Sequence, residues 1–553
     1  MSFFHKNKHG LIIGLFIFLG AFLIKWHLAS LFQFAGHADA SAYMIVAKNL
    51  YQEKGFTENY IGHWLNQKNT LPHPCCEYWQ PLTSMFAYFS FKLFGYSIGA
   101  AILPSILLGS LLTSMGYWIG FYLFRSKKKA VTTALLVLFL PEMMLPSLRV
   151  LSNIHGAVYQ TLFLFLTYLI FSKKSSYFYS FAAALGALAA LSVLARGDQQ
   201  LLIPILLIFL FFAPYSITEK VKFFSLFLGI FILLMLPWYI RNYAVFGGLY
   251  AQGPKKVFLM RTPHNLNMYF YHYDFSIQTL IDGGWNTLKV RLLQKPLMFF
   301  IWFKRAMSLS LLPFFFIGLR TVWNHKIYWP PFVLLSCYAI FYTLLSPIST
   351  PAHSVFGVLF FFILISVEGI FIVVHYFKDK LFSKAETVMF FTIISFILAS
   401  FFPFYRELPV RARDMNQTRL SMEEIGSWFD ERNISNPIVM TNRPWELNLY
   451  TDLRTLQIPL DNGVMPPQLA KVTLPYMPKP LYNGNVIREI VDKYKVNYII
   501  FSDRLWWNVE LPNSDGAFRK IYQKPNASSG FGTGYTIYKT KHDASSTTYK
   551  RAK

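Results

Sequence analysis

The sequence predicts a mainly α, polytopic membrane helix bundle of about eleven spans with a C-terminal water-soluble α/β domain. Three observations predict it. The 553-residue chain is 54% hydrophobic and only 14% charged, whereas ordinary globular domains are about 25% charged. Its apolar residues gather in long runs, as in 201–214, 223–239 and 354–374, and a run of roughly 20 such residues crosses a hydrocarbon core. After Pro403 the runs stop and polar residues mix with short apolar stretches.

The expected spans are 11–31, 97–124, 130–147, 155–171, 177–195, 199–213, 222–240, 306–320, 327–345, 354–377 and 385–404. The first follows His5, Lys6 and Lys8 and runs from Leu11 to about Leu31, longer than a signal-peptide core. Although Ala38-Asp39-Ala40 resembles a cleavage site, the segment is read as an uncleaved helix. With the N-terminus in the cytoplasm, the cytoplasmic links hold Arg125, Lys127–Lys129, Lys173, Lys174, Lys220, Lys222, Arg320, Lys326, Lys378, Lys380 and Lys384. The short outer links hold only Arg149 and Arg196. Cytoplasmic loops collect Lys and Arg, and every link obeys that rule. The reading places the chain in an inner (plasma) membrane of bacterial type, with the C-terminal domain extracytoplasmic.

Residues 1–404 form the membrane domain and carry two long outer loops, 32–96 and 241–296. The first closes on Pro81 to Gly95, which reads as a helix lying at the interface, because it is short for a span. The second is basic. Residues 405–541 alternate helix and strand patterns: helix 419–432, strand 437–441, helix 484–495, a strand at 496–501 and an edge strand at 535–539. Neither of the first two strands leads into a glycine-rich phosphate loop. Residues 542–553 read as disordered.

The net charge of +25 would suggest nucleic acid in a soluble protein; here the positive-inside bias accounts for much of it, and no nucleic-acid partner is expected. Cys75, Cys76 and Cys337 form no disulfide framework.

The position richest in chemistry is Asp39, just beyond the outer end of the first span. A carboxylate there can take a proton from an acceptor hydroxyl or amine; equally, it can cap the helix 40–52. Arg241 follows the seventh span and Arg196 the fifth, and His353 precedes the tenth. Guanidinium groups recognise phosphate through a planar fork. Each is also explained as an interfacial anchor, or, for Arg196, as a local pair with Asp198. Glu142 and Glu368 are carboxylates inside spans; Glu142, near an outer helix end, fits the border of a polar cavity. His63, His73 and Glu77 are metal-ligating residue types, but their spacing matches no ligand motif. No metal site is assigned and a divalent metal stays open.

These pieces resemble the GT-C glycosyltransferases that use polyprenyl-phosphate sugars, which include protein O-mannosyltransferases and the lipid A aminoarabinose transferase. The likeness rests on Asp39, Tyr43 and Ala47 after the first span, and on Tyr78-Trp79-Gln80-Pro81-Leu82 leading to Lys92-Leu93-Phe94-Gly95. It continues with Gly186 to Arg196 and with Pro237-Trp238-Tyr239-Ile240-Arg241-Asn242 ahead of Phe246-Gly247. In the tail, Val439 to Trp445 and Lys493 to Ile500 look like the soluble outer domain of many members. Three places depart from the family pattern: Ala40 follows Asp39, Gln80 precedes Pro81, and His353 stands where an Arg is common.

The resemblance implies inverting transfer of a sugar from a polyprenyl phosphate to a glycan, lipid or protein acceptor on the outer face. Asp39 would be the general base and Glu77 a second carboxylate orienting acceptor or metal. Arg241, Arg196 and His353 would bind the phosphate, with Lys255 and Lys256 as a lid and Tyr43 in the polar cavity. The donor's prenyl chain would lie between helices among membrane lipids. Two other readings stay open: a transporter or flippase working through Glu142 and Glu368, and a non-catalytic assembly partner.

Overall fold

The computed structural model describes residues 8–36, 38–62, 70–251, 295–344, 354–380, 385–458, 484–502, 518–524 and 534–542, with isolated positions between 278 and 292. Every expected span falls on helix. The helices are α1 Lys8–Ala29, α2 Ala38–Tyr51, α3 Leu82–Phe94, α4 Ile98–Phe124, α5 Lys127–Phe139, α6 Pro141–Ser147, α7 Ser152–Ser172, α8 Phe178–Ala195, α9 Leu202–Phe212 and α10 Ile217–Phe246. Further along the chain come α11 Lys295–Ala306, α12 Ser308–Gly318, α13 Trp329–Leu344, α14 Phe356–Lys380 and α15 Ala385–Asp430. Among the described residues seven helices are long and apolar enough to cross a membrane, and nine if each of two bent pairs counts as one span. The bends are 59° between α5 and α6 and 101° between Phe300–Ala306 and Ser308–Thr321. Pro141, which lacks an N–H to continue the α5 ladder, sits at the first of them. The other two expected spans are shorter, α9 with 11 residues and α13 with 16. Pro214 lies just beyond α9, and Pro330-Pro331 stands at the start of α13.

Helix ends are set by local chemistry. Ser97 starts α4 by accepting from the Ala100 N–H at 3.1 Å, and α10 opens with a reciprocal Ser216–Glu219 capping box. Within the bundle small residues allow backbones to meet. A methyl on Gly369 of α14 would lie 1.8 Å from the Phe314 carbonyl oxygen, and one on Gly318 would lie 2.0 Å from that of Ile365. Small residues at such crossings are how helices pack without a hydrophobic drive between them. Gly369→Val is therefore expected to lower stability by about 1–3 kcal/mol or more, read as a drop in thermal midpoint of the detergent-purified chain. A distant exposed change such as Leu93→Val should leave that midpoint in place.

Glu368 of α14 is paired: Lys129 Nζ at the start of α5 lies 2.8 Å from its carboxylate, with side-chain exposures of 22% and 13%. The bundle thus uses this intramembrane carboxylate to tie two helices together.

The tail contributes α16 Pro444–Thr451, α17 Gly484–Tyr494 and strands β4 Ile438–Thr441, β5 Arg454–Gln457, β6 Tyr498–Ser502, β7 Phe518–Lys524 and β8 Tyr535–Thr540. Three short strands come from the segment between α2 and α3: β1 Thr57–Glu58, β2 Tyr60–Ile61 and β3 His73–Pro74. β1 pairs with β3, and the six others form one sheet in the order β2-β5-β4-β6-β8-β7. β2, β5, β4 and β6 run parallel; β8 is antiparallel to both β6 and β7. Strand alternation decides the layers. Met440, Ile499 and Phe501 pack with Ile487 and Ile490 of α17, while Val439, Tyr498 and Ile500 pack with Ile425 and Phe429 of α15 and Leu447 of α16.

Three differences from the expected tail have physical causes. The span 385–404 and the helix 419–432 are one continuous 46-residue helix, α15, with Pro403 and Pro409 inside it. The strand at 535–540 is interior; the edge is β7, whose Arg519, Lys520 and Lys524 suit an edge facing water. The opposite edge is completed by β2 from the segment between α2 and α3, with Tyr60 opposite Thr455 and Ile61 opposite Leu456. Residues 543–553 lie outside the described ones.

Candidate active site

Asp39 stands in the first turn of α2, where a negative charge complements the exposed N–H groups of the helix start. The helix begins at Ala38, two residues earlier than a capping Asp39 would require, so Asp39 lies inside it. The link before it is pinned to the tail: Gln33 N donates to Asn416 Oδ1 at 2.7 Å, Arg419 Nη1 donates to the Gln33 carbonyl at 3.2 Å, and Ala35 N donates to the Tyr450 hydroxyl at 2.9 Å. From Ala40 to Asn49 every residue of α2 is buried. Asp39 is therefore carried on a rigid element.

Arg196 leaves the C-terminal end of α8 and turns back on Asp198. The pair is bidentate, Nε to Oδ1 at 3.3 Å and Nη2 to Oδ2 at 3.0 Å. Nη1 donates to Ser152 Oγ at 3.3 Å and Nη2 also to Ser354 Oγ at 3.3 Å. The Tyr342 and Ser354 hydroxyls donate to the same Asp198 oxygen. Behind them Gln160 of α7 donates to Gln199 Oε1 at 3.1 Å and to the Ser354 carbonyl at 3.1 Å, and accepts from Gly357 N at 2.8 Å. Burial pushes the Asp198 carboxyl up, but the guanidinium beside it and the hydroxyls of Ser354 and Tyr342 outweigh burial and hold it below the usual carboxylate range. Asp198 is thus an anion at neutral pH, and it grips Arg196 by one edge.

The tyrosines Tyr43 and Tyr78 join this cluster to Asp39. Burial pushes the Tyr78 phenol up to about 12; Asp39 adds to that, Arg196 opposes it and Asp198 adds to it again. Burial likewise raises Tyr43 of α2, which hydrogen-bonds Ser152 and senses both Arg196 and Asp39. Both phenols remain protonated donors at neutral pH. Gln80 closes the same region, since a methyl on Gly197 would stand 3.4 Å from its amide nitrogen. The 78–82 segment and the Arg196 turn, distant in the chain, meet here.

Arg241 is engaged elsewhere. Its Nη2 donates to the Cys75 carbonyl at 2.9 Å and its Nη1 to Asn242 Oδ1 at 3.1 Å. The guanidinium lies over Trp238 at 4.8 Å and Phe246 at 5.0 Å. Arg241 thereby props the loop that carries Glu77 and Tyr78, and the structure brings Arg196 rather than Arg241 into reach of the two phenols. Glu77 is half-buried between Cys76, whose φ of 68° is left-handed, and Tyr78. His73 braces this loop: Nε2 is 2.8 Å from the Tyr60 carbonyl and 4.0 Å from Glu58. Cys75 and Cys76 are buried free thiols. Glu142 stands in the first turn of α6, with Arg305 of α11 as a nearby opposing charge. Among the described residues no three His, Cys, Asp or Glu side chains gather as a metal-binding group. His63, Lys255, Lys256 and His353 lie outside the described residues.

Ser152, Gln160, Tyr342 and Ser354 are the members that sequence reasoning passes over. The one signal was Gln160, an amide inside an otherwise apolar span.

Residues 73–240 match the family described as dolichyl-phosphate-mannose-protein mannosyltransferase. No curated protein sequence matches the chain. Among solved structures, ArnT from Cupriavidus metallidurans in the apo state is similar, with a TM-score of 0.54 at 10% identity over 98% of this chain and 99% of that one. The same protein bound to undecaprenyl phosphate gives 0.58 at 11% identity over 95% of this chain and 97% of that one. The Archaeoglobus fulgidus oligosaccharyltransferase, in complex with Zn and sulfate, gives 0.53 at 12% identity over 93% of this chain and 72% of that one.

Proposed function

We propose that this chain, a membrane glycosyltransferase with the GT-C fold, moves a sugar from a polyprenyl-phosphate donor to a glycan, lipid or protein acceptor at the extracytoplasmic face. The observation that carries the reading is that Asp39 and Arg196, 157 residues apart in sequence, both lie within electrostatic reach of the phenols of buried Tyr43 and half-buried Tyr78. An acid and a guanidinium converge at the outer ends of α2 and α8.

In this reading Asp39 takes the proton of the acceptor hydroxyl as its oxygen attacks the anomeric carbon. The bond from that carbon to the phosphate oxygen breaks, its electron pair leaves with the polyprenyl phosphate, and the sugar inverts. The leaving phosphate is a weak base and needs no general acid. Charge building on it is met by Arg196, whose orientation Asp198 fixes in advance, and by the donor hydroxyls of Tyr43 and Tyr78. Arg241 contributes by holding the 75–78 loop; Glu77 on that loop is the candidate second carboxylate. His353, Lys255 and Lys256 complete the phosphate set. The chain crosses a bacterial-type inner membrane eleven times, N-terminus inside and tail outside. The Lys129–Glu368 pair gives that carboxylate a structural partner, which weighs against a transporter working through it.

The test is transfer by the purified chain from a panel of polyprenyl-phosphate sugars, following release of free polyprenyl phosphate. Arg241→Ala should raise KM for the donor by roughly 10–100-fold, the loss of a charged hydrogen bond worth about 1.5–3 kcal/mol; Arg241→Lys should recover only part. Absence of transfer from every donor would sink the reading.

A further inference from the structure

A cavity of about 540 Å³ lies on the opposite face of α2 from Asp39. Lys48, which lines it, follows Asp39 by nine residues, two and a half turns or about 13 Å along the helix. The cavity is therefore separate from the candidate active site. One wall is an apolar stripe of α4, Ile98, Ile102 and Ile106, at four-residue spacing and about 12 Å long. Trp26 at the outer end of α1 and Tyr96 before α4 line it too and are 44% and 42% exposed, the placement of aromatics at a membrane–water interface.

The opposite end is polar and carries both signs. Lys48 Nζ lies 2.8 Å from Asp452 and 3.2 Å from the Leu449 carbonyl. Arg419 Nε lies 2.7 Å from Glu423, and both line the cavity. A purely anionic headgroup would meet Glu423 there, and a purely cationic one would meet Lys48 and Arg419. A group bearing a phosphate and an ammonium matches both. An ammonium with N–H bonds can also donate to Glu423, which a quaternary one cannot.

We propose that this cavity holds one zwitterionic phospholipid with a primary amine headgroup, its phosphate toward Lys48 and Arg419, its amine toward Glu423 and one acyl chain along Ile98, Ile102 and Ile106. The lipid wedges between α1, α4 and the tail helix α15, whose Arg419 also grips the Gln33 carbonyl of the link to α2. This site stands whether or not the chain transfers sugar.

The experiment uses the full chain in detergent, equilibrated with phosphatidylethanolamine, phosphatidylcholine or phosphatidylglycerol of identical chains, and native mass spectrometry to count retained lipid. One phosphatidylethanolamine per chain should survive delipidation, retained several-fold over the other two. Gly99 lines the cavity and a side chain there meets nothing within 4 Å, so Gly99→Leu should fill the space and abolish retention with an unchanged circular-dichroism spectrum. Glu423→Gln should keep a lipid but lose the preference over phosphatidylcholine, and it decides the matter should Gly99→Leu fail to fold. Equal retention of all three lipids by the parent, as for annular lipid, or undiminished retention by Gly99→Leu, would overturn the proposal.

Discussion

Asp39→Asn should lower kcat for sugar transfer by about 10²–10⁴-fold while KM for the polyprenyl-phosphate donor stays near the parent value. The amide matches the carboxylate in shape and remains in the first turn of a helix whose next ten residues are buried. The protein should fold and bind, and lack only an acceptor for the proton. The measurement is steady-state transfer by the purified variant beside a thermal melt, so that a loss of rate is separated from a loss of structure. Parent-level turnover would remove Asp39 from the mechanism while leaving the fold intact.

The second large effect is on stability. Asp198→Ala leaves the Arg196 guanidinium in a half-buried turn with its bidentate partner gone, and breaking such a pair by removing one member costs about 3–5 kcal/mol. The thermal midpoint of the purified chain should fall steeply. The double change Arg196→Met with Asp198→Ala should recover part of the loss, because no uncompensated charge remains, yet stay inactive if Arg196 meets the donor phosphate. A pH series gives the sign. The folded carboxyl is held below its ordinary value of about 3.9. Its contribution is thus fully present above that value and is lost as pH falls through the lower folded one. The parent's advantage over Asp198→Ala should be flat from neutrality down to about pH 4 and shrink below it.

How much of this was legible in the sequence follows from the range of each interaction. Apolar runs and basic links are local, and they placed helices at every expected span. Asp39 and Arg196 stood out because each is charged at the end of an apolar stretch. The Arg196–Asp198 pair, two residues apart, was visible too. Ser354 and Tyr342 were not: Ser354 reaches Arg196 across 158 residues, and hydroxyls are unremarkable in spans, where Ser366 simply donates to the Phe362 carbonyl of its own helix. For Arg241 the chain alone does not tell a guanidinium beside a phosphate from one propping a carbonyl, and its bond to the Cys75 carbonyl becomes visible only in the fold. In the tail, β5 reads Arg-Thr-Leu-Gln and β7 is basic, so neither shows the apolar run that marked β4 and β6. β2, two residues long, owes its existence to a partner nearly four hundred residues away.

That pairing limits what can be exchanged between relatives. A chimera grafting a foreign tail onto this bundle at residue 405 would leave Tyr60 and Ile61 without the backbone ladder of β5, and the slack would run through the loop to Tyr78. A workable swap has to transplant residues 57–62 together with the tail, as one cassette assembled from both ends of the polypeptide.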